Sequence, residues 1–135
     1  MRLNLRHLRV FLAVIDLGSV TRAAAACHVS QPAVTQAIAK LEINTGAALF
    51  TRTPQGLFPT APGKALALRV RRALSRLDPV LTDLSPRLKL TATTPQLRAL
   101  IAVRETENFT LAARRLGLAQ PTVHRAVNQL EREAA

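Results

Sequence analysis

The chain contains no tryptophan, no tyrosine and only four phenylalanines in 135 residues. Proteins that grip single-stranded nucleic acid stack its bases on aromatic rings, so a chain this poor in rings suits a duplex better than a single strand. Its one cysteine, Cys27, excludes an internal disulfide and points to a reducing, cytoplasmic setting. No apolar run reaches the roughly 18 residues that a membrane-spanning helix needs. The opening Met1-Arg2-Leu3-Asn4-Leu5-Arg6-His7 is charged and does not read as a signal peptide. His7, His28 and His124 never cluster with Cys27 or with paired acids at ligand spacing, so no metal and no other cofactor is expected. A glycine-rich phosphate loop is missing too, as is any nucleophile–base pair at a recognisable spacing, and the chain does not read as an enzyme.

Positive charge and self-similarity are what the chain does have. Nineteen Lys and Arg stand against 8 Asp and Glu, a formal net charge of +11. That balance points to an anionic partner, either nucleic acid or an anionic membrane surface, the plain alternative being charge kept for solubility. Residues 8–44 and 97–133 align without a gap at an offset of 89, and 13 of the 37 positions are identical, from Leu8/Leu97 to Glu42/Glu131. Two copies are too few for a solenoid, so the chain is read as two related modules.

In the first copy, Leu5, Leu8, Phe11, Leu12 and Ile15 recur at the helical period, which predicts a helix over about residues 4–17, ended by Gly18. Ser19 is placed to cap a second helix with Val20, Ala23, Ala24 and Cys27 on one face. His28 falls where positive φ is expected, and the second copy has Gly117 there. Ser30 caps a third helix with Pro32 in its first turn and Val34, Ala37, Ile38 and Leu41 inward. Two helices joined by a tight turn make a helix-turn-helix. Leu49–Thr53 and Leu57–Thr60 around Pro54-Gln55-Gly56 predict a hairpin, the wing of a winged helix-turn-helix.

A further helix is predicted from near Thr60 to about Leu77. Along it Leu66, Val70, Ala73 and Leu77 alternate steps of 4, 3 and 4, the spacing of a helix-pairing seam, with Arg69, Arg71, Arg72 and Arg76 beside it. The seam continues through Val80 and Leu84, so Asp78-Pro79 predicts a kink and not an end. Ser85-Pro86 to Thr94-Pro95 reads as a linker, with Thr94 as cap and Pro95 as the first helical residue of the second copy. That copy is expected to bury Leu97, Leu100 and Ile101, then Phe109, Ala112, Ala113 and Leu116, then Val123, Val127 and Leu130. It reaches Ala135 before any wing, which reads as the N-terminal piece of something longer; the alternative is a short protein with a wingless second module.

Phe11-Leu12-Ala13-Val14, Gly18-Ser19-Val20-Thr21-Arg22-Ala23-Ala24, Val29-Ser30-Gln31-Pro32-Ala33-Val34 and Leu49-Phe50-Thr51-Arg52 stand in the order and spacing of the LysR-type transcriptional regulators, which residues 1 to about 84 resemble. Thr60-Ala61-Pro62-Gly63 looks like the start of that family's linker helix, and Thr110-Leu111-Ala112-Ala113 and Ala119-Gln120-Pro121-Thr122-Val123 resemble the same pattern. The resemblance implies a prokaryotic, cytoplasmic, nucleoid-associated regulator of duplex DNA that dimerises through its linker helix. Such a regulator ordinarily carries a C-terminal effector domain, which these residues lack, so no small-molecule inducer is expected to bind them.

The architecture expected is therefore all-α: a winged module over residues 1–60, a linker and dimerisation helix over 61–84, a linker over 85–94, and a second helix-turn-helix over 95–135, truncated before its wing. Gln31, Pro32, Thr35 and Gln36 lie off the inward face of the third helix. Gln pairs bidentately with adenine, Thr bonds either base type or touches a thymine methyl, and Pro offers apolar contact; these positions match the family's base-contacting ones. Ser30 stands at the phosphates, Arg52 matches the wing arginine, and Thr60, Arg22 and Lys40 are further phosphate candidates. In the second copy the reading positions become Gln120, Pro121, His124 and Arg125. Arg prefers guanine, so a reading second copy would read a different sequence. Ala119 in place of Ser30 removes its cap, which weakens that case and leaves a protein-interaction module as an alternative. A winged module like that of the molybdate-responsive, oxyanion-sensing regulators is a further one.

Overall fold

The computed structural model describes residues 3–135. Met1 and Arg2, part of the opening read above as no signal peptide, lie outside the described residues. The order of elements is α1 (Leu5–Leu17), α2 (Val20–Cys27), α3 (Gln31–Thr45), β1 (Phe50–Thr53), β2 (Gly56–Pro59), α4 (Ala61–Leu84), α5 (Leu88–Thr91), α6 (Thr94–Thr106), α7 (Phe109–Leu116) and α8 (Gln120–Ala134). The chain divides into two compact units, one through Ser75 and one from Arg76 to Ala135.

In the first unit each helix starts where a side chain can satisfy first-turn N–H groups. The Asn4 carboxamide accepts from the amides of Arg6 and His7, Ser19 from Arg22, and Ser30 from Ala33. Gly18, His28 and Gly46 close α1, α2 and α3 in the left-handed conformation. α1 is buried on two sides. Val10 and Val14 pack with Ala23, Ala24, Val34, Ala37 and Ile38, where the paired alanines let α2 approach closely. Phe11 turns to the other side and packs with Leu41, Leu49 and Ala67, its ring edge-on to Phe50 at 5.6 Å. β1 and β2 form an antiparallel hairpin in which Arg52 pairs with Leu57 and Thr53 with Gly56. On the surface, the Arg71 guanidinium of α4 makes an ion pair with both carboxylate oxygens of Asp16 at the end of α1.

α4 runs unbroken through Pro79, although proline leaves the Ser75 carbonyl without its helical donor. Its burial differs from the expected seam: Val70 is already buried within the single chain, Leu66 and Leu77 are half-buried, and Ala73 is exposed.

The second unit repeats the three-helix arrangement in α6, α7 and α8, with Ala99, Ala102, Ala112, Ala113, Val123 and Val127 at its centre. Three expectations are corrected here. The stretch 85–94 is not bare linker: Leu88 and Ala92, one helical turn apart, are buried with Leu81 and Leu130. The cap of α6 is Thr93, whose hydroxyl accepts from the Gln96 amide while the Gln96 side chain accepts from the Thr93 amide, so Thr94 and Pro95 are its first two residues. Finally, Leu100 and Ile101 lie 38% and 56% exposed, because Ala99 and Ala102 face the core in their place.

Candidate nucleic-acid interface

The sequence presents α3 with its apolar stripe inward, so its remaining faces must meet solvent or a partner. Val34, Ala37, Ile38 and Leu41 are buried, and Gln31, Pro32, Thr35 and Gln36 are exposed one turn apart along the outside. These four and Arg52 line a single open groove of about 870 Å³ between α3, the α1–α2 turn and the hairpin. Its wall is set by backbone contacts. The Leu57 amide donates to the Gly18 carbonyl at 3.4 Å, and a Cβ on Gly56 would stand 2.9 Å from that same oxygen. Gly56, at φ 130°, therefore satisfies both the turn and the close approach. Ser19, Val20 and Gln55 also line the groove; no local pattern in the sequence marks them, because only the docking of the wing on Gly18 brings them there.

The groove is wide and of mixed lining, Val20, Pro32 and Leu57 standing beside the polar side chains, and Arg52 is the charged residue in it. No carboxylate among the described residues is paired with Arg52, and neither glutamine side chain makes a described hydrogen bond. Their donors and acceptors thus remain available to a ligand. Thr35 differs in part, its hydroxyl donating to the Gln31 carbonyl at 3.2 Å. Ser30 is committed as the cap of α3, accepting from the Ala33 amide at 3.2 Å.

Thr60 is corrected as a phosphate contact. Its hydroxyl donates to the Ala48 carbonyl at 2.6 Å and accepts from the Gly63 amide at 3.1 Å, so the proton a phosphate would need is spent on joining hairpin to helix. Of the titratable neighbours, His7 is held below the ordinary histidine range by burial and then by the Lys40 charge. Burial pushes the thiol of the half-buried Cys27 up, toward its neutral form. Among the described residues no three His, Cys, Asp or Glu gather as a metal site, and no helix is long and apolar enough to cross a membrane.

The second module holds its corresponding residues differently. Gln120, Pro121 and Arg125 are exposed on α8, but the half-buried His124 ring lies flat on Phe109, with centroids 3.7 Å apart and planes 7° apart. At the offset of 89 these positions are Thr35 and Val20, which line the groove of the first module. The two rings thus stack on each other at the positions where the first module has two groove-lining residues. Ala119 gives α8 no side-chain cap.

Comparison with known proteins agrees with this geometry. The model of the family described as bacterial regulatory helix-turn-helix protein, lysR family, matches residues 5–64 and again 94–135. The HTH-type transcriptional regulator GalR of Pseudomonas putida is 36% identical over 136 residues, covering 95% of this chain and 33% of that protein. The nitrogen assimilation regulatory protein nac of Klebsiella aerogenes is 40% identical over 76 residues, 56% of this chain and 25% of that one. This chain thus spans a third or less of the length of these relatives. Among solved structures, the CbnR_DBD–DNA complex superposes with a TM-score of 0.54 at 35% identity, over 59% of this chain and 90% of that one. The BenM_DBD/catB site 1 DNA complex does so with 0.56 at 32%, over 61% and 90%. The relatives are LysR-type regulators, and the molybdate-type alternative is set aside. A winged module whose groove lies between α3 and an arginine-bearing hairpin, followed by a second helix-turn-helix that matches the same family again, makes this chain a member of the LysR family of bacterial regulatory proteins.

Proposed function

We propose that this chain is the sequence-specific, duplex-DNA-binding part of a LysR-type transcriptional regulator. α3 enters the major groove with Gln31, Pro32, Thr35 and Gln36 at base edges, and the hairpin lays Arg52 on the backbone or minor groove. The observation that carries this reading is the single groove lined by those five residues. It is supported by the two matched structures, each described as a complex with DNA. Binding should be driven by Lys and Arg, so log K falls by about 0.9 unit per decade of salt for each phosphate neutralised. Fluorescence anisotropy with a selected duplex at two salt concentrations tests this, and an affinity indifferent to salt rejects it.

The chain acts as a two-fold dimer through α4. Ala73, Val80 and Leu84 lie exposed on one flank, continued by the half-buried Leu66 and Leu77. Val70 contributes from beneath, by holding the helix to its own chain. A two-fold dimer reads a palindromic site.

The second module is a protein-interaction module carried beside the DNA reader. The Phe109–His124 stack and the uncapped α8 favour this reading over a second base reader.

A further inference from the structure

The two modules differ most in what becomes of the first helix's outer face. In the first module Phe11 is fully buried, because Leu49 and Ala67 cover it. At the offset of 89, Leu100 takes the place of Phe11 and Ile101 that of the half-buried Leu12, and the two stand 38% and 56% exposed. Ile101 projects from the side of α6 opposite its buried face, made by Gln96, Ala99 and Ala102. Around it the surface is ordered: Leu97 and Arg104 lie along one edge, Arg98 and Glu105 along the other. Glu105 accepts from Arg115 through its Oε2 at 2.5 Å, a solvent-exposed pair that leaves Oε1 to a second cation. Arg98 is exposed, and no acid among the described residues is paired with it.

We propose that this face takes a second copy of the chain, the two α6 helices packing antiparallel about Ile101 with Arg98 of each copy opposite Glu105 of the other. Symmetry supplies the argument. A two-fold axis perpendicular to such a pair keeps each residue on its lateral edge and reverses the order along the helix. Arg98 lies one turn before Ile101 and Glu105 one turn after it on the same edge, so reversal brings the two together twice. On the other edge the Arg104 stem lies over what remains open of the other copy's Leu97, which its own chain half-buries against Leu81, Leu88 and Leu130, while the Arg104 charge stays in water. The apolar centre and paired rim match what a small two-fold interface requires. The proposal rests on the interaction reading of the second module and stands apart from the DNA reading of the first. With the α4 dimer it would join DNA-bound pairs into larger assemblies.

Sedimentation of the intact 135-residue chain across the micromolar range, with and without operator duplex, tests it. Ile101→Asp should weaken self-association at least about tenfold, since it places two carboxylates at the symmetry axis. Arg98→Glu should weaken it by about tenfold, by turning two attractions into repulsions. Neither touches the core, so helix content by circular dichroism and the affinity of one chain for a half-site should stay at wild-type values. Ile101→Cys in a Cys27→Ala background should form a reducible cross-link between copies under mild oxidation. Sedimentation of Ile101→Asp identical to wild type, or no cross-link through Cys at 101, overturns the proposal. Loss of DNA binding in wild type would instead count against the DNA reading alone.

Discussion

Gly63 of α4 lies so close to Leu49 that a Cβ built on it would stand 2.1 Å from the Leu49 carbonyl oxygen. That oxygen already accepts the Thr60 amide at 3.0 Å and cannot retreat without breaking the joint between hairpin and helix. Gly63→Ala should therefore destabilise the first module by about 1–3 kcal/mol, the ordinary cost of overpacking. Urea unfolding measures it, and an unchanged midpoint would show that the joint has slack.

The groove separates two kinds of contact. Arg52→Ala should weaken binding to all duplexes alike and lower the salt slope by about 1, whereas Gln31→Ala or Gln36→Ala should cost about 1–3 kcal/mol at particular base pairs. A binding-selection profile of each variant distinguishes them. Glutamine variants that lost all sequences equally would not be base readers.

Two side chains are held in the left-handed conformation, His28 at φ 55° and Glu107 at φ 51°, and in each case the other module has glycine, Gly117 or Gly18. His28→Gly and Glu107→Gly should each stabilise by about 1 kcal/mol, because glycine escapes the Cβ clash of that region. The Glu107 variant forfeits only a solvated pair with Arg104. A thermal scan showing a lower melting temperature for either would contradict this.

His7 gives the first module a pH dependence of known sign. Its pKa is lowered in the folded chain, chiefly by burial, from an ordinary value of 6.5, so the unfolded chain binds the proton more readily. The stability contributed by neutral His7 is present above pH 6.5 and is lost as the pH falls from there through the lowered folded value. His7→Gln should flatten that limb of the stability curve. A wild-type curve level over the same range would remove the effect.

The flat stack on Phe109 leaves His124 little freedom to reach a base. Changing His124 and Arg125 together to alanine should reduce affinity for one operator less than changing Thr35 and Gln36 does. An equal or larger loss would make the second module a DNA reader in its own right.

What the amino-acid order determined by itself was local and periodic. The offset of 89 declared two modules, Ser30 with Pro32 set the start of α3, and the inward stripe Val34, Ala37, Ile38 and Leu41 left Gln31, Thr35 and Gln36 on the outside. His28 in a left-handed turn was equally legible, because these features depend on neighbours a few residues away. Tertiary structure decided the rest. Thr60 looked like a phosphate contact until Ala48, 12 residues earlier, took its proton. Val70 fitted a seam between chains by spacing, yet its own chain buries it. Leu100 and Ile101 carried the right periodicity for a core, but periodicity does not say which of two apolar stripes on one helix finds a partner. Packing settles that, since a stripe is buried only where another element arrives to cover it. For Phe11 that element came from Leu49 and Ala67, and among the described residues nothing equivalent covers its counterpart Leu100 or the neighbouring Ile101.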